Sequence, residues 1–535
     1  MEKTRMSRKN ETSLLGPLAV GRRQDSLFKA WLHPQVLALF FLGFSAGIPI
    51  LLIFSTLSVW LREAGIDRAA VTFFSWAALG YSFKFVWAPL IDKMPLPVLT
   101  RLLGRRRSWL LLAQLSVMTA IVWMAFTDPL LGERSMIMMA LAAVLLGFSS
   151  ATQDIVIDAY RIECIGASMQ ALLASSYVAG YRVGMLVAGA GSLYLATLFG
   201  TTRELYRFEA WQLTYLLMAG VMSVGVITTL CIGEPERNEG AGSHHFSLQH
   251  SLRLLILFLL IAASFGGSFF FSASLVSSVK EWLAQRAELH LELVAFLVES
   301  CRLVLALGIA ALVARVAVLL GVVDQEMVRE TYIAPVRDFF SRYGGKTAIL
   351  LLVLVGFYRV SDIVLGVVAN VFYIDMGFSK NVIATVTKSF GLGMTLLGGF
   401  LGGMLTVRYG VYAILFSGAL LAAGTNLLFM LLAGSGNDLT MLTVVIAADS
   451  FCAGLASTAF IAFLSSLTNI SFTAVQYALF SSLMTLFPKL IGGYSGTVTA
   501  SWGYESFFLL TALMGLPVLL LVWLARDFIN QKAES

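Results

Sequence analysis

In the stretch SSATQDIVIDAYRIE, Ser149 to Glu163, Gln153, Asp154, Asp158 and Arg161 fall within nine residues of one another. Asp154 and Asp158 are four apart and share a helix face, with Arg161 three residues beyond, so a helix here can pair its own charges. The stretch ends the apolar run MIMMALAAVLLGF. A charge at the centre of a membrane helix costs about 2.5–3.5 kcal/mol on insertion scales, so it faces protein or water and marks a pathway. Buried carboxylates take up and release protons, and buried cations attract anions. That is the chemistry of solute passage rather than of bond making. No HExxH, GxSxG or phosphate-loop motif accompanies it, so the chain reads as a non-enzyme.

Further charges in apolar surroundings are Lys84, Arg182, Glu299, Arg302, Arg359, Asp362, Lys388, Asp449 and Lys489. At a rise of 1.5 Å per residue, Arg359 lies about 18 Å from the inner edge of its span. Asp449 lies about 15 Å and Lys388 about 12 Å from the outer edges of theirs. These three are near the midplane, whereas Asp154, about 28 Å from the outer edge, is close to the cytoplasmic end. Lys84, in YSFKFVWAPLID, is the nearest partner in depth for Asp154, Asp158 and Arg161. The group reads either as a static salt-bridge network or as a gate that forms when the cytoplasmic side closes. Glu299 and Arg302, three apart, read as a structural pair. Arg359 and Asp362, equally spaced, read as cavity residues.

The elements that must hold these charges are membrane helices. The 535 residues are 58% hydrophobic and 13% charged, and mean hydropathy is +0.83, whereas soluble domains carry about 25% charged residues. Apolar runs near the ~20 residues that cross a ~30 Å layer recur through the chain. They fall at 36–60, 70–90, 108–127, 135–158, 168–199, 210–232, 252–278, 293–320, 347–373, 381–406, 411–433, 439–467, 474–501 and 504–525. The expectation is an all-α polytopic protein of about fourteen spans. Lys and Arg number seven in the N-terminal tail, five in 91–108 and four in 321–347. The positive-inside rule therefore puts both termini in the cytoplasm. The +6 charge follows loop topology and suggests no nucleic-acid partner. Cys164, Cys231, Cys301 and Cys452 lack metal-ligand spacing, and His244–His245 lies in a polar linker. No metal or cofactor is expected.

At a constant offset of 307 residues Gly147 meets Gly454, Ser150 meets Ser457, Ala171 meets Ala478, Ser175 meets Ser482, and Arg182 meets Lys489. Two six-helix halves follow, 36–232 and 347–525, with an inserted pair at 252–320. Residues 1–35, 233–251, 321–346 and 526–535 are read as cytoplasmic tails and linkers. Parallel halves of six are the architecture of the major facilitator superfamily.

GFSAGIP (43–49), FKFVWAPLID (83–92), GRRRSWLL (104–111), SATQDIVIDAY (150–160), GYRVGMLV (180–187) and NISFTAVQYALFSSL (469–483) occur in that order across both halves. The set resembles the AmpG-type muropeptide permeases, a branch of the major facilitator superfamily related to the acetyl-coenzyme A transporters. The resemblance implies a proton-driven importer of anhydro-muropeptides in the bacterial inner membrane. Such a protein feeds peptidoglycan recycling and, in some bacteria, β-lactamase induction. By motif it carries over Gly47, Ala151, Gln153, Asp154, Tyr181 and Arg182. Facilitators also place an acidic residue at the end of span two before a basic cluster, here Asp92 with Arg105, Arg106 and Arg107, which reads as an anchor or as part of a gate with Lys84, Asp158 and Arg161.

A muropeptide presents carboxylates, amides and sugar faces. Arg182, Arg359, Lys388 and Lys489 would pair its carboxylates, Gln153 and Asn370 its amides, and Tyr81, Tyr177, Tyr181 and Phe357 its sugars. Proton coupling falls to Asp449, then Asp154, with Asp158 and Asp362 behind them. The protein is expected to work as a monomer. The rival readings are another anionic cargo such as acetyl-coenzyme A, and a membrane enzyme or non-transporting sensor.

Overall fold

The computed structural model describes residues 32–66, 81, 83–166, 169–201, 205–235, 248–286, 291–379, 382–492 and 495–529. Most of the N-terminal tail, the outer part of the second expected span and most of the 233–251 linker lie outside them. Every element among the described residues is helical. A first group comprises α1 (Pro34–Leu51), α2 (Ala88–Lys93), α3 (Arg105–Ala125), α4 (Glu133–Glu163), α5 (Gln170–Leu186) and α6 (Phe208–Cys231). Next come α7 (Leu248–Phe271), α8 (Ala273–Arg286), α9 (Leu291–Leu319) and a short linker helix α10 (Ala334–Tyr343). A second group comprises α11 (Gly345–Phe357), α12 (Val360–Asp375), α13 (Gly391–Ser435), α14 (Leu439–Leu467), α15 (Thr473–Gly492) and α16 (Ser495–Leu524).

Eleven of the described helical stretches are long and apolar enough to cross a membrane. Three features separate this number from the expected fourteen. Residues 70–80 are not described, and the apolar part of α9, Val304–Leu319, is short. The stretch Thr385–Ser435 is a single run of 51 residues, which at 1.5 Å per residue is more than twice a ~30 Å hydrocarbon layer. It breaks at Gly410, where φ is +85°, a left-handed conformation that glycine adopts without steric cost. That break falls between the expected spans 381–406 and 411–433.

The helices pack into three apolar clusters. One joins α1, α3, α4 and α6 around Trp60, Trp211 and Tyr215, with the two indoles stacked at 5.6 Å. A second fills the interior of α11 to α16. The third mixes first-group residues with Leu254 and Leu257 of α7 and with Ala474 and Ala478 of α15. It therefore ties both the inserted helices and the second group to the first. The inserted helices dock through aromatic rings, Phe258 against Trp87 and Phe265 against Phe83. Arg302 donates to Ser272 of the neighbouring connection and sits 3.9 Å from the Phe269 ring centroid. The Glu299 side chain lies outside the described residues.

Helices α1 and α5 cross at glycines. A methyl group at Gly43 or Gly47 would overlap the carbonyls of Tyr177 or Tyr181, and one at Gly180 or Gly184 would overlap those of Phe40 or Phe44. Two small-xxx-small pairs thus interlock, the close approach by which membrane helices associate. Gly47→Val is expected to cost at least about 1–3 kcal/mol, the range for overpacking. Thermal melting of the detergent-solubilised variant measures it, and an unchanged melting temperature would show that the crossing is not tight.

Candidate functional site

The lower part of α4 is buried from Ser149 through Ile162, so its polar side chains must find partners in protein. Asp158 pairs with Lys84 at 3.6 Å and with Arg161 at 3.5 Å. Arg161 is fully buried. It donates to Ser465 Oγ of α14 at 2.7 Å and lies 5.1 Å from the Tyr477 ring of α15. Lys84 therefore pairs with Asp158 and also lies within Coulomb reach of Asp154. Tyr81 donates to Ser150 at 2.6 Å. Asp154 is buried, and its Oδ1 accepts no hydrogen bond among the described residues. Gln153 has no exposed surface and donates to Ser45 of α1 at 3.1 Å. Ala151 is fully buried as well.

The three arginines of GRRRS separate. Arg106, 1% exposed, donates to Asp92 at 2.8 Å and to Glu163 at 2.6 and 2.9 Å. Arg105 adds bonds to Glu163 and to the Asp92 carbonyl. Arg107 turns away and donates to the carbonyls of Thr229 and Leu230 at the end of α6. Successive helical residues differ by about 100° in direction, so three in a row cannot share one partner. The α3 N-terminus, preceded by Gly104 at φ +87°, is capped by Glu234, which accepts from the amides of Arg106 and Arg107. A carboxylate there also meets the positive end of the helix dipole.

The carboxylates held by Arg106 reach across to the second group. Asp92 accepts from the amide of Val475 at 3.1 Å in the first turn of α15, and Glu163 accepts from the Thr473 hydroxyl. Lys93 lies 6.0 Å from the Phe472 ring. Ser175 donates to the Gly399 carbonyl at 2.6 Å. These contacts between the groups gather at the end that carries the 91–108 loop.

The linker helix braces the same place. Asp338 accepts from Asn469, Gln476 and Arg342, and Gln476 also donates to the Pro335 carbonyl. Tyr332 donates to the Val86 carbonyl of the first group at 3.1 Å. Burial pushes its phenol up to about 12, so it remains a donor at neutral pH. Thr473, Gln476 and Tyr477 all lie in NISFTAVQYALFSSL, so that motif was their signal. Glu163 closes the stretch SSATQDIVIDAYRIE, beyond the expected span 135–158, and had no role assigned to it from sequence.

Mid-helix charges of the second group form a smaller cluster. Arg359 and Asp362 are 3.9 Å apart. Thr425 donates to Asp449 at 3.4 Å, and Asp362 and Arg359 both lie within Coulomb reach of Asp449. Arg182, from the first group, lies within Coulomb reach of Arg359. Tyr177 and Tyr181 hold their rings 6.0 Å apart on α5. Lys388 donates to Asn370 at 3.3 Å, and both are exposed. Lys489 is exposed too. Phe357 stacks on Phe487 at 5.6 Å, which makes it part of the α11–α15 contact. Two polar regions result. One is an interlocked end built on Asp92, Arg106, Asp158, Arg161 and Glu163, and the other is a looser set of cations and carboxylates at mid-helix.

Residues 35–232 match the family model described as acetyl-coenzyme A transporter 1. The putative transporter AmpG 4 of Rickettsia conorii is 30% identical over 508 residues, which span 95% of this chain and all of that protein. The anhydromuropeptide permease of Escherichia coli K12 is 27% identical over 92% of this chain and 80% of its own. Among solved structures, a proton:xylose symporter of the major facilitator superfamily aligns with a TM-score of 0.57 at 12% identity. It covers 92% of this chain and 96% of its own. The Escherichia coli fucose:proton symporter aligns with a TM-score of 0.55 at 10% identity, covering 92% and 97%.

Proposed function

Because the chain belongs to the AmpG family of transporters and carries the major facilitator fold, we propose that it imports anhydro-muropeptides from periplasm to cytoplasm, driven by protons, for peptidoglycan recycling. The observation that carries this reading is the kinship with an anhydromuropeptide permease across 92% of the chain. The protein is then a multi-pass protein of the bacterial inner membrane. Its 91–108 loop faces the cytoplasm by the positive-inside rule, and the interlocked end is the closed cytoplasmic gate of an outward-facing state. Alternating access proceeds by rocking of the two groups. Opening inward requires Asp92 and Glu163 to release the first turn of α15 and Arg161 to release Ser465. Arg182 and Arg359, one from each group, are placed to share an anionic cargo across the midplane, pairing a carboxylate by their planar forks. Tyr177 and Tyr181 offer ring faces on the same helix as Arg182. Gln153, bonded to Ser45, would reach cargo only after that contact breaks.

The match of 35–232 to an acetyl-coenzyme A transporter model favours a second reading, in which the cargo is that thioester or a similar anion. Uptake of labelled GlcNAc-anhydroMurNAc-tripeptide into proteoliposomes under an imposed proton gradient separates the two. Unlabelled muropeptide is expected to compete and acetyl-coenzyme A is not. Absence of muropeptide uptake together with uptake of labelled acetyl-coenzyme A would replace the first reading by the second.

A further inference from the structure

The described residues hold a groove of about 670 Å³ whose lining includes none of the charges discussed above, between the inserted helices and the segment leading into α10. Leu257 of α7, Val318 of α9 and Ile333 give it apolar walls, and Arg315, Arg329 and Glu326 line its polar part. Arg315 is four residues from the end of α9, about 6 Å along the axis. If the expected span 293–320 crosses the membrane, this is the level at which it leaves the hydrocarbon. Arg315 and Arg329 are exposed, and neither has an ion-pair partner among the described residues, whereas nearby Arg253 is paired with Asp324 at 3.8 Å. The surface on either side is aliphatic and outward-facing, with Leu312, Leu319, Leu320 and Ile333 each more than half exposed.

We propose that this groove binds one anionic phospholipid, its phosphate between Arg315 and Arg329 and its upper acyl chains along Leu257, Val318 and Ile333. Basic pockets at helix ends attract acidic headgroups, each Lys or Arg near the surface contributing about fivefold in affinity. Arginine forks suit phosphate oxygens bidentately. Two arginines against one glutamate leave the lining net positive, and the aliphatic walls select an amphiphile over a free anion. The bound lipid would fasten the inserted pair to the linker that enters the second group, which gives that pair a role in anchoring.

Native mass spectrometry of the full-length protein in detergent, titrated with phosphatidylglycerol or phosphatidylcholine, tests this. The expected result is one retained phosphatidylglycerol, with affinity about thirtyfold weaker in Arg315→Gln/Arg329→Gln and phosphatidylcholine binding unchanged. Arg337→Gln, on α10 outside the groove, should bind as the unsubstituted protein does. Both groove arginines are exposed, so the double variant should remain folded, and its unchanged phosphatidylcholine binding reports that. Equal affinities of the double variant and the parent for phosphatidylglycerol would overturn the proposal. So would equal binding of the two lipids by the parent, or displacement of the lipid by millimolar inorganic phosphate, which would make the occupant a free anion.

Discussion

Arg106→Ala should cost about 3–5 kcal/mol of stability and unfasten α15 from the first group, because removing one partner of a buried ion pair strands the other. Here two carboxylates lose that partner, since Arg106 pairs with the side chains of both Asp92 and Glu163. Each of those carboxylates accepts a hydrogen bond from the start of α15. Arg105, a third exposed, remains as a weaker counter-ion for Glu163. Thermal melting reads the stability term. A cysteine placed at Ser465, buried against Arg161 in the parent, reads the gate, and its alkylation rate should rise at least tenfold in Arg106→Ala. Arg106→Lys keeps the charge but loses the fork, so it should recover only part of the stability. Adding Asp92→Asn and Glu163→Gln to Arg106→Ala should restore stability without restoring the closed gate. A triple variant with slow alkylation would mean that apolar packing, rather than these bonds, holds the end shut.

Depth arithmetic on one sequence put Lys84 level with Asp154, Asp158 and Arg161 without saying which of them it pairs with, and put Asp158 and Arg161 at one end of the bundle, because position along a helix of known rise is a local property. Contacts between the groups were less legible. Arg161 donates to Ser465, and Ser465 is the residue that the 307-residue offset makes equivalent to Asp158. The same guanidinium thus touches the two related positions, one charged and one neutral, so the first group supplies all the charge at this junction. Nothing in the pattern of either half says which turn abuts which across a pseudo-twofold. GRRRS read as one basic cluster, yet helical geometry sends Arg106 into the interlocked end and Arg107 to α6. Gly47 came by resemblance, and its reason is physical: only a hydrogen fits under the Tyr181 carbonyl. The linker 321–346 was expected only to be cytoplasmic and carried no site residue, because its polar residues look like any solvated helix until Gln476 is placed between Pro335 and Asp338.

Asp449→Asn should abolish accumulation against a gradient while leaving counterflow exchange. Asp449 sits on α14 within Coulomb reach of Asp362 and Arg359, with the Thr425 hydroxyl as its hydrogen-bond donor. Two carboxylates beside one guanidinium carry a net negative charge in a poorly solvated place, which a proton can neutralise, and intramembrane carboxylates of this kind serve as proton relays. Asparagine keeps the size and the hydrogen-bonding capacity but cannot take up a proton. For one proton per cargo, a pH difference of one unit is worth about 1.4 kcal/mol, or about tenfold accumulation when the membrane potential is held at zero. In proteoliposomes the parent should approach that ratio and Asp449→Asn should stay near one, with exchange of preloaded labelled muropeptide continuing. Asp154, whose Oδ1 accepts no hydrogen bond among the described residues, is the second candidate. If Asp449→Asn accumulates cargo as the parent does and Asp154→Asn does not, coupling belongs to the buried end of α4. The proton would then be released beside the gate rather than at the midplane.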